Sequence, residues 1–184
     1  METSKFQKPP MDLSDEADAQ GLDLARKQGE ALNETVKYMT EKIAHGRTKP
    51  AGNYIVGYAV EEAEGMYSLY NGEFTWHEPR DENAHIEIVV ADGADMRFVP
   101  MLNVTCTVLD QDQNVVGTHR QPFLWHPYLY HYGKNWKLPG DGTYTLRIEI
   151  DPPEFMRHDK KNGKRYAERV TVEFNEVQIR VGQK

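Results

Sequence analysis

The chain has 184 residues, enough for one domain with an added helix, and it contains no apolar run long enough to span a membrane. Its 22 Lys and Arg stand against 29 Asp and Glu, and the resulting net charge of -7 argues against a nucleic-acid partner, which favours a basic surface. The single cysteine, Cys106, excludes an intramolecular disulfide and a cysteine-rich zinc site. Its alternating sequence context predicts a buried strand thiol rather than a nucleophile.

The N-terminal third divides into a tail and a helical segment. Residues 1–13 predict a disordered tail, and they lack the apolar stretch of a secretory leader, so either the protein is cytoplasmic or the leader is absent from this chain. Residues 14–46 predict the helical segment, with Ser14 as N-cap and Gly46 as C-cap. The apolar positions recur at helical spacing and include Leu32, Val36, Met39 and Ile43. This narrow stripe predicts that the helix lies on a larger body or a partner chain.

From residue 51 to residue 184 the apolar pattern changes to period two, which predicts a β-domain. Turn-forming Gly, Asn and Asp separate the strand-like segments, which are 54–60, 65–76, 85–91, 98–109, 114–124, 143–150 and 169–181. Their number and spacing predict a mainly β fold, an immunoglobulin-like antiparallel β-sandwich with an N-terminal helical extension. A closed barrel remains the alternative.

The segment His85-Ile86-Glu87 carries the first candidate ligands. Ile86 and Ile88 point to one face of the predicted strand, so His85 and Glu87 share the other face. An imidazole beside a carboxylate is a suitable half-site for a transition metal. An ordinary polar outer face of a strand explains the same pattern.

Further histidines lie in two predicted loops. Residues 123–133 combine His126 and His131 with several aromatic side chains, which is compatible with a metal site, an aromatic plug or a carbohydrate-binding surface. His158 follows the strand-ending pair Pro152-Pro153. The remaining histidines, interpreted as structural or surface residues, are His45, His77 and His119. A hairpin could nevertheless bring His77 to the site. The sequence has no Ser-centred elbow, phosphate loop or HExxH motif.

The order of several short motifs over the last 130 or so residues resembles the family of small periplasmic iron-uptake (Fe2+ transport) proteins. The motifs, as they stand here, are His85-Ile86-Glu87, Phe98-Val99-Pro100-Met101-Leu102, His131-Tyr132-Gly133, Gly142-Thr143-Tyr144, Asp151-Pro152-Pro153 and Met156-Arg157-His158. Each motif is short, and their order and spacing carry the resemblance.

The resemblance implies an immunoglobulin-like sandwich that forms a homodimer and binds a copper or iron ion near the subunit interface. It implies His85, Glu87, His131 and His158 as ligands. It also implies a periplasmic or other extracytoplasmic location and delivery of the ion to a membrane permease.

The chain departs from the family pattern in the aromatic segment. The family's Met and Asp ligand positions fall on Leu124 and Tyr128, and neither side chain replaces what is missing. His126, two residues from Leu124, could supply an imidazole instead. Replacing a thioether by an imidazole shifts the preference of a site from Cu(I) towards Cu(II), Zn(II) or iron.

The predicted function is therefore extracytoplasmic metal binding in iron uptake, with a copper, iron or zinc ion held by His85, Glu87, His126, His131 and His158. The alternative is a non-catalytic module that binds carbohydrate or protein through the aromatic residues 125–132. We expect no enzymatic activity, although oxidation or reduction of the bound ion stays open. Because ligating histidines must be neutral, we expect the affinity to fall below about pH 6.

Overall fold

The computed structural model describes residues 11–43 and 45–184, except for the side chain of Ile43. All but the last three residues of the predicted tail 1–13 lie outside the described residues. Helix α1 spans Ala19–Tyr38 and continues into one π-helical turn, Met39–Ile43. The strands of the described residues are β1 His45–Ala51, β2 Tyr54–Glu61, β3 Met66–Tyr70, β4 Glu73–His77, β5 Ala84–Asp92, β6 Val104–Leu109, β7 Val115–Gln121, β8 Phe123–Leu124, β9 His131–Trp136, β10 Gly142–Ile150 and β11 Val170–Ile179.

The strands form two main sheets and one separate hairpin. The five-stranded sheet has the order β1-β2-β5-β9-β8, and the four-stranded sheet has the order β11-β10-β6-β7. Strands β3 and β4 pair only with each other. Every strand pairing within these sheets is antiparallel. The predicted antiparallel β-sandwich with an N-terminal helix is therefore confirmed.

The main core lies between the two sheets. Ile86, Ile88 and Val90 of β5 contribute one side of it, and all three are fully buried. On the facing sheet, Cys106 and Ile148 are also fully buried in this core. Burial raises the pKa of the Cys106 thiol, so this cysteine is a core residue, as the sequence indicated.

A second apolar layer covers the outer face of the five-stranded sheet. Val36 of α1 and Met39 of the π-helical turn pack with Ala59 of β2 and Val89 of β5. Leu129, from the aromatic segment, completes this cluster. The helix therefore lies on a larger body, as predicted, and it helps to cover Val89 on the outer face of β5.

The ends of the helical segment differ from the prediction. The N-cap is Asp18, whose side chain accepts a hydrogen bond from the Gly21 amide at 2.6 Å. Ser14 instead donates its hydroxyl to Asp159. Gly46, the predicted C-cap, lies inside β1, together with His45. Strand β1 is a mostly exposed edge strand with a polar sequence, so it carries no period-two apolar signal.

Three predicted strands also change in detail. Residues 65–76 form the hairpin of β3 and β4, with Asn71 in the left-handed turn between them. The segment 114–124 divides into β7 and β8, and only the second half of 98–109 is strand. The aromatic residues after the predicted strand end at Leu124 were predicted as a loop, and the last of them, from His131, begin β9.

Candidate metal centre

The pairing of β5 with β9 brings the candidate ligands together. In this register Glu87 lies opposite Gly133, and His85 lies opposite Asn135. Since side chains on one face of a strand recur every second residue, His131 shares the face of Gly133 and Asn135. His85, Glu87 and His131 therefore converge on the outer face of the five-stranded sheet.

The distances between these three side chains suit a metal ion. His131 Nε2 lies 3.4 Å from Glu87 Oε1, and His85 Nε2 lies 3.9 Å from the same oxygen. All three ligand atoms lie within 4.8 Å of one another. A tetrahedral ion with bonds of about 2.0–2.2 Å needs ligand atoms roughly 3.3–3.6 Å apart. Small side-chain rotations close the remaining gap, so the cluster can hold a transition-metal ion.

All three residues are buried. His85, Glu87 and His131 are 1%, 6% and 4% exposed. The Nε2 atom of His131 has no hydrogen-bond partner in the described part of the chain. Buried polar atoms are normally satisfied, and an unsatisfied one costs about 1–3 kcal/mol. In the tautomer that carries the proton on Nδ1, a bound ion would use the lone pair of this nitrogen.

Asn135 orients the first histidine. Its Oδ1 atom lies 2.9 Å from His85 Nδ1, and its Nδ2 donates to the Glu64 carbonyl at 2.7 Å. With the proton on Nδ1, the lone pair of His85 Nε2 faces the cluster, which is the usual arrangement for a metal-bound histidine. The sequence analysis missed Asn135, although the period-two run from His131 places it on this face.

Burial controls the charge of the cluster. It raises the pKa of Glu87 to about 8, and the nearby carboxylates of Glu61 and Glu64 raise it further, against the opposing effect of Lys184. Burial also lowers the pKa of His131 to about 4, with a smaller contribution from His85. At neutral pH the metal-free cluster therefore has a protonated carboxyl group and neutral imidazoles. An ion must displace the Glu87 proton to bind this carboxylate.

Gly133 leaves room at the centre. A Cβ atom at this position would lie 3.0 Å from His85 Nε2 and 3.1 Å from both His131 Cδ2 and Leu124 Cδ1. These contacts are tighter than ordinary van der Waals distances. The absence of a side chain opposite Glu87 therefore keeps space where the three ligands converge.

His126 lies next to this cluster. Its ring centroid is 6.3 Å from that of His131, while the His85 and His131 centroids are 5.9 Å apart. Two imidazoles that bind one ion at about 2.0 Å have centroids roughly 5–6 Å apart. The Nδ1 atom of His126 is buried and has no hydrogen-bond partner among the described residues. The structure thus places His126 at the edge of the centre, with a free ring nitrogen.

His158 lies far from the cluster within a single chain. Its side chain is 83% exposed, and its Nδ1 lies 3.3 Å from Glu16. The loop that carries it also contains Arg165, which donates to Asp92 at the opposite end of β5 from His85. The seven-residue separation along the strand corresponds to about 23 Å. One chain therefore does not bring its own His158 to the cluster.

The other aromatic and histidine residues divide between core and surface. Tyr132 is fully buried and donates its hydroxyl to the Val99 carbonyl, whereas Trp125 is 70% exposed. His119 contacts the Trp136 ring, with centroids 4.6 Å apart. His77 is exposed on β4, and its Nε2 lies 2.7 Å from Ser68 Oγ.

The fold and the cluster together define a β-sandwich with a buried centre that can hold a transition-metal ion. The family model described as "Fe2+ transport protein" matches residues 51–179, and the chain belongs to this family. A comparison with curated proteins finds no match. No helix of the described residues is both long and apolar enough to cross a membrane.

The fold is similar to that of two proteins of known structure, P19 and FetP. A copper-bound variant of P19 from Campylobacter jejuni has a TM-score of 0.60 at 17% identity, over 76% of this chain and 97% of that one. FetP from uropathogenic Escherichia coli strain F11, expressed in the periplasm of E. coli, has a TM-score of 0.56 at 18% identity, over 73% of this chain and 97% of that one. At these identities the similarity establishes the fold.

Replacing Leu124 by Met should increase the affinity for Cu(I). Leu124 lies opposite His131 in the β8–β9 pair and next to Gly133, so a thioether here would reach the centre. The exchange nearly conserves volume. We expect Cu(I) to bind about tenfold more tightly, corresponding to about 1.4 kcal/mol, because thioethers favour this ion. Competition with a chromophoric Cu(I) chelator measures the change. The matched control is Leu13→Met, at an exposed position, and equal affinities of the two variants would contradict the prediction.

Proposed function

We propose that this protein binds a transition-metal ion, iron or copper, at His85, Glu87 and His131, and that it serves iron uptake outside the cytoplasm. In this role it captures the ion and hands it to a membrane permease. Membership of the Fe2+ transport family supports this function, and the copper-bound structures of P19 and FetP support the choice of ions.

The observation that carries the proposal is the convergence of three buried side chains with ligand atoms turned towards each other. Glu87 has both histidines within 4 Å of its Oε1, and His131 Nε2 has no hydrogen-bond partner among the described residues. A folded protein that buried these groups for packing alone would leave them unsatisfied. Imidazole and carboxylate ligands suit iron, copper and zinc.

His126 is proposed as a further ligand. Its ring centroid lies 6.3 Å from that of His131, slightly beyond the range for two imidazoles on one ion, and its buried Nδ1 has no hydrogen-bond partner among the described residues. A small movement of the His126 side chain would bring it to the ion. With this nitrogen the centre has three imidazoles and one carboxylate, and it contains no sulfur ligand because Leu124 occupies the family's Met position. Such a set favours Cu(II), Zn(II) or iron over Cu(I).

His158 is proposed to act in a homodimer. The exposed side chain cannot join the cluster of its own chain, but it is accessible to a second copy. A dimer that places the centre at the subunit interface would let His158 of one copy complete the centre of the other.

We propose that the protein binds and delivers the ion and does not catalyse a reaction.

The test is isothermal titration of the metal-stripped protein with Cu(II), Zn(II) and Mn(II), the last as an air-stable substitute for Fe(II). We expect tight, stoichiometric binding that is lost in His131→Ala and kept in His45→Ala, a matched change on an exposed strand. Absence of binding by the intact protein, or equal binding by both variants, would reject the proposal.

The carbohydrate- or protein-binding alternative rests on the exposed Trp125 and Tyr130. Tyr132 cannot contribute to such a surface, because it is buried in the sandwich core. Oligosaccharide binding that is unaffected by metal and lost in Trp125→Ala would favour this alternative.

A further inference from the structure

The separate hairpin of β3 and β4 forms a wall of a pocket beside the metal centre. The pocket has a volume of about 270 Å³, and the residues that matter for its chemistry are Met66, His77, Leu124, Gly133 and Asn135. Gly133 lies opposite Glu87 in the β5–β9 pair, and the Oδ1 of Asn135 lies 2.9 Å from His85 Nδ1. The pocket is thus adjacent to the centre, with the hairpin on its other side.

Met66 and His77 face each other across this hairpin. They are directly paired in the β3–β4 register, so their side chains share one face with Cβ atoms about 4.5–5.5 Å apart. The opposite face carries an aromatic cluster, in which the Tyr67 and Trp76 ring centroids are 4.8 Å apart. Packing on that face leaves the thioether and the imidazole on the pocket side.

The imidazole of His77 has a ring nitrogen available for an ion. Its Nε2 is engaged with Ser68 Oγ at 2.7 Å. In the tautomer that carries the proton on Nε2, Nδ1 has a free lone pair, and it makes no hydrogen bond within the described residues. A hydrogen bond to the ring nitrogen that does not bind the ion commonly orients a metal-binding histidine.

The charges around the pocket do not oppose a cation. Glu78 and Glu82 line it, and their carboxylates accept hydrogen bonds from Trp76 Nε1 and from the Arg80 amide respectively. Lys134 is the cationic side chain among the lining residues. Two carboxylates against one ammonium leave a net negative surrounding.

The base of the hairpin is tied to the metal centre by one side chain. Glu64 lies two residues before Met66, and its carbonyl accepts a hydrogen bond from Asn135 Nδ2, while the Oδ1 of the same Asn135 lies 2.9 Å from His85 Nδ1. These hydrogen bonds hold the start of the hairpin next to the centre.

From these contacts we propose that Met66 Sδ and His77 Nδ1 form a second metal site, the vestibule site, which binds a soft monovalent ion of the Cu(I) type beside the His85–Glu87–His131 centre. A thioether with an imidazole selects such an ion, whereas the centre itself lacks sulfur. Two ligands give weaker binding than the centre provides, so an ion is held here transiently. The role of the vestibule site in loading the centre rests on the proposed function, but its ion binding does not.

The test uses Ag(I), an air-stable probe for Cu(I), with protein labelled at the methionine methyl groups with 13C. We expect the Met66 methyl resonance, assigned through Met66→Leu, to shift on titration. The fully exposed Met156 and the exposed Met101 serve as internal controls for unspecific thioether binding. His77→Gln should weaken the Ag(I) affinity reported by Met66 by about tenfold.

The outcomes separate this proposal from the proposed function. In His131→Ala the Met66 shift should persist, even though binding at the centre is lost. A Met66 shift no larger than that of Met156, or an affinity at Met66 unchanged by His77→Gln, would overturn the vestibule site whatever the centre does. Retention of stoichiometric Cu(II) binding in His131→Ala would overturn the proposed function, whereas a Met66 shift that His77→Gln weakens would still support the vestibule site.

Discussion

Between pH 6.5 and pH 8 the affinity of the metal centre for a divalent ion should rise by about tenfold per pH unit, and it should level off above pH 8. The reason is the pKa of Glu87, which burial and the carboxylates of Glu61 and Glu64 raise to about 8. An ion that binds the Glu87 carboxylate must release its proton. The His131 imidazole, with a pKa lowered to about 4, is already neutral over this range. Free histidines would make the metal affinity fall below about pH 6. In this centre the Glu87 carboxyl group sets the pH dependence instead.

Titration calorimetry in buffers with different ionisation enthalpies measures this release. About one proton per ion is expected at pH 7. Because loss of an outer-shell residue already costs 10–100-fold, we expect Glu87→Gln to weaken binding at pH 8 by roughly 100-fold or more, and to remove the pH dependence. The matched control is Glu73→Gln, on the exposed strand β4. Binding by the intact protein that does not change between pH 6.5 and pH 8 would contradict the raised pKa.

The same carboxyl group should make the free energy of unfolding of the metal-free protein fall with pH, whereas it makes the metal affinity rise. A group whose pKa is higher in the folded state holds more protons there, so stability falls as the pH rises through the folded pKa. Above pH 6.5 Glu87 causes a loss of up to about 1.4 kcal/mol per pH unit until pH 8. Below pH 6.5 the lowered pKa values of His85 and His131 oppose this trend. The unfolding temperature, measured in the presence of a chelator, should therefore decline from pH 6.5 to pH 8, and Glu87→Gln should abolish the decline.

Replacing Gly29 by Ala should detach helix α1 from the sheet. A Cβ at this position would lie 1.5 Å from the Asp95 carbonyl oxygen and 2.9 Å from the Met96 carbonyl carbon. Both obstacles are backbone atoms, so no side chain can rotate away. Either the helix or the turn after β5 must move, and overpacking of this kind costs about 1–3 kcal/mol or more. For a chain of this length each kcal/mol lowers the unfolding temperature by about 2–4 °C.

Thermal unfolding and amide hydrogen exchange measure this effect. Gly21→Ala is the matched control, because a Cβ there meets only the Asp18 carboxylate, at 3.2 Å, in the first turn of the same helix. We expect its effect to stay within about 1 kcal/mol, since alanine is the better helix former. In Gly29→Ala, exchange of the α1 amides should accelerate. Equal unfolding temperatures for the two variants would show that the helix does not depend on this close contact.

Local patterns predicted the parts of the centre that lie on one strand. Period two placed His85 and Glu87 on the same face of β5, and the structure confirms this placement. The same pattern did not decide whether that face is buried, because the residues that pack on it come from distant parts of the sequence, as Val36 and Met39 do on Val89. Burial distinguishes the His85–Glu87 pair from an ordinary polar strand face.

The non-local parts could not be derived from the sequence alone. The partnership of His131 with Glu87 depends on the register of β5 against β9, which are separated by three intervening strands in the chain. The family resemblance supplied this residue, whereas the local pattern placed it in an aromatic loop. The resemblance also suggested His158, which the fold of one chain holds apart from the cluster. Strand β1 was missed because an exposed, polar edge strand has no apolar periodicity.

The ligands of the centre belong to two strands that are joined by ladder hydrogen bonds, so their backbone positions are fixed before an ion arrives. Folding has already removed the conformational entropy of these segments, and an ion orders little beyond the side-chain torsions. A frame of this stiffness resists expansion, so it distinguishes ions by radius and preferred geometry as well as by charge. In the proposed function, loading and release of an ion would therefore not require this pair of strands to rearrange.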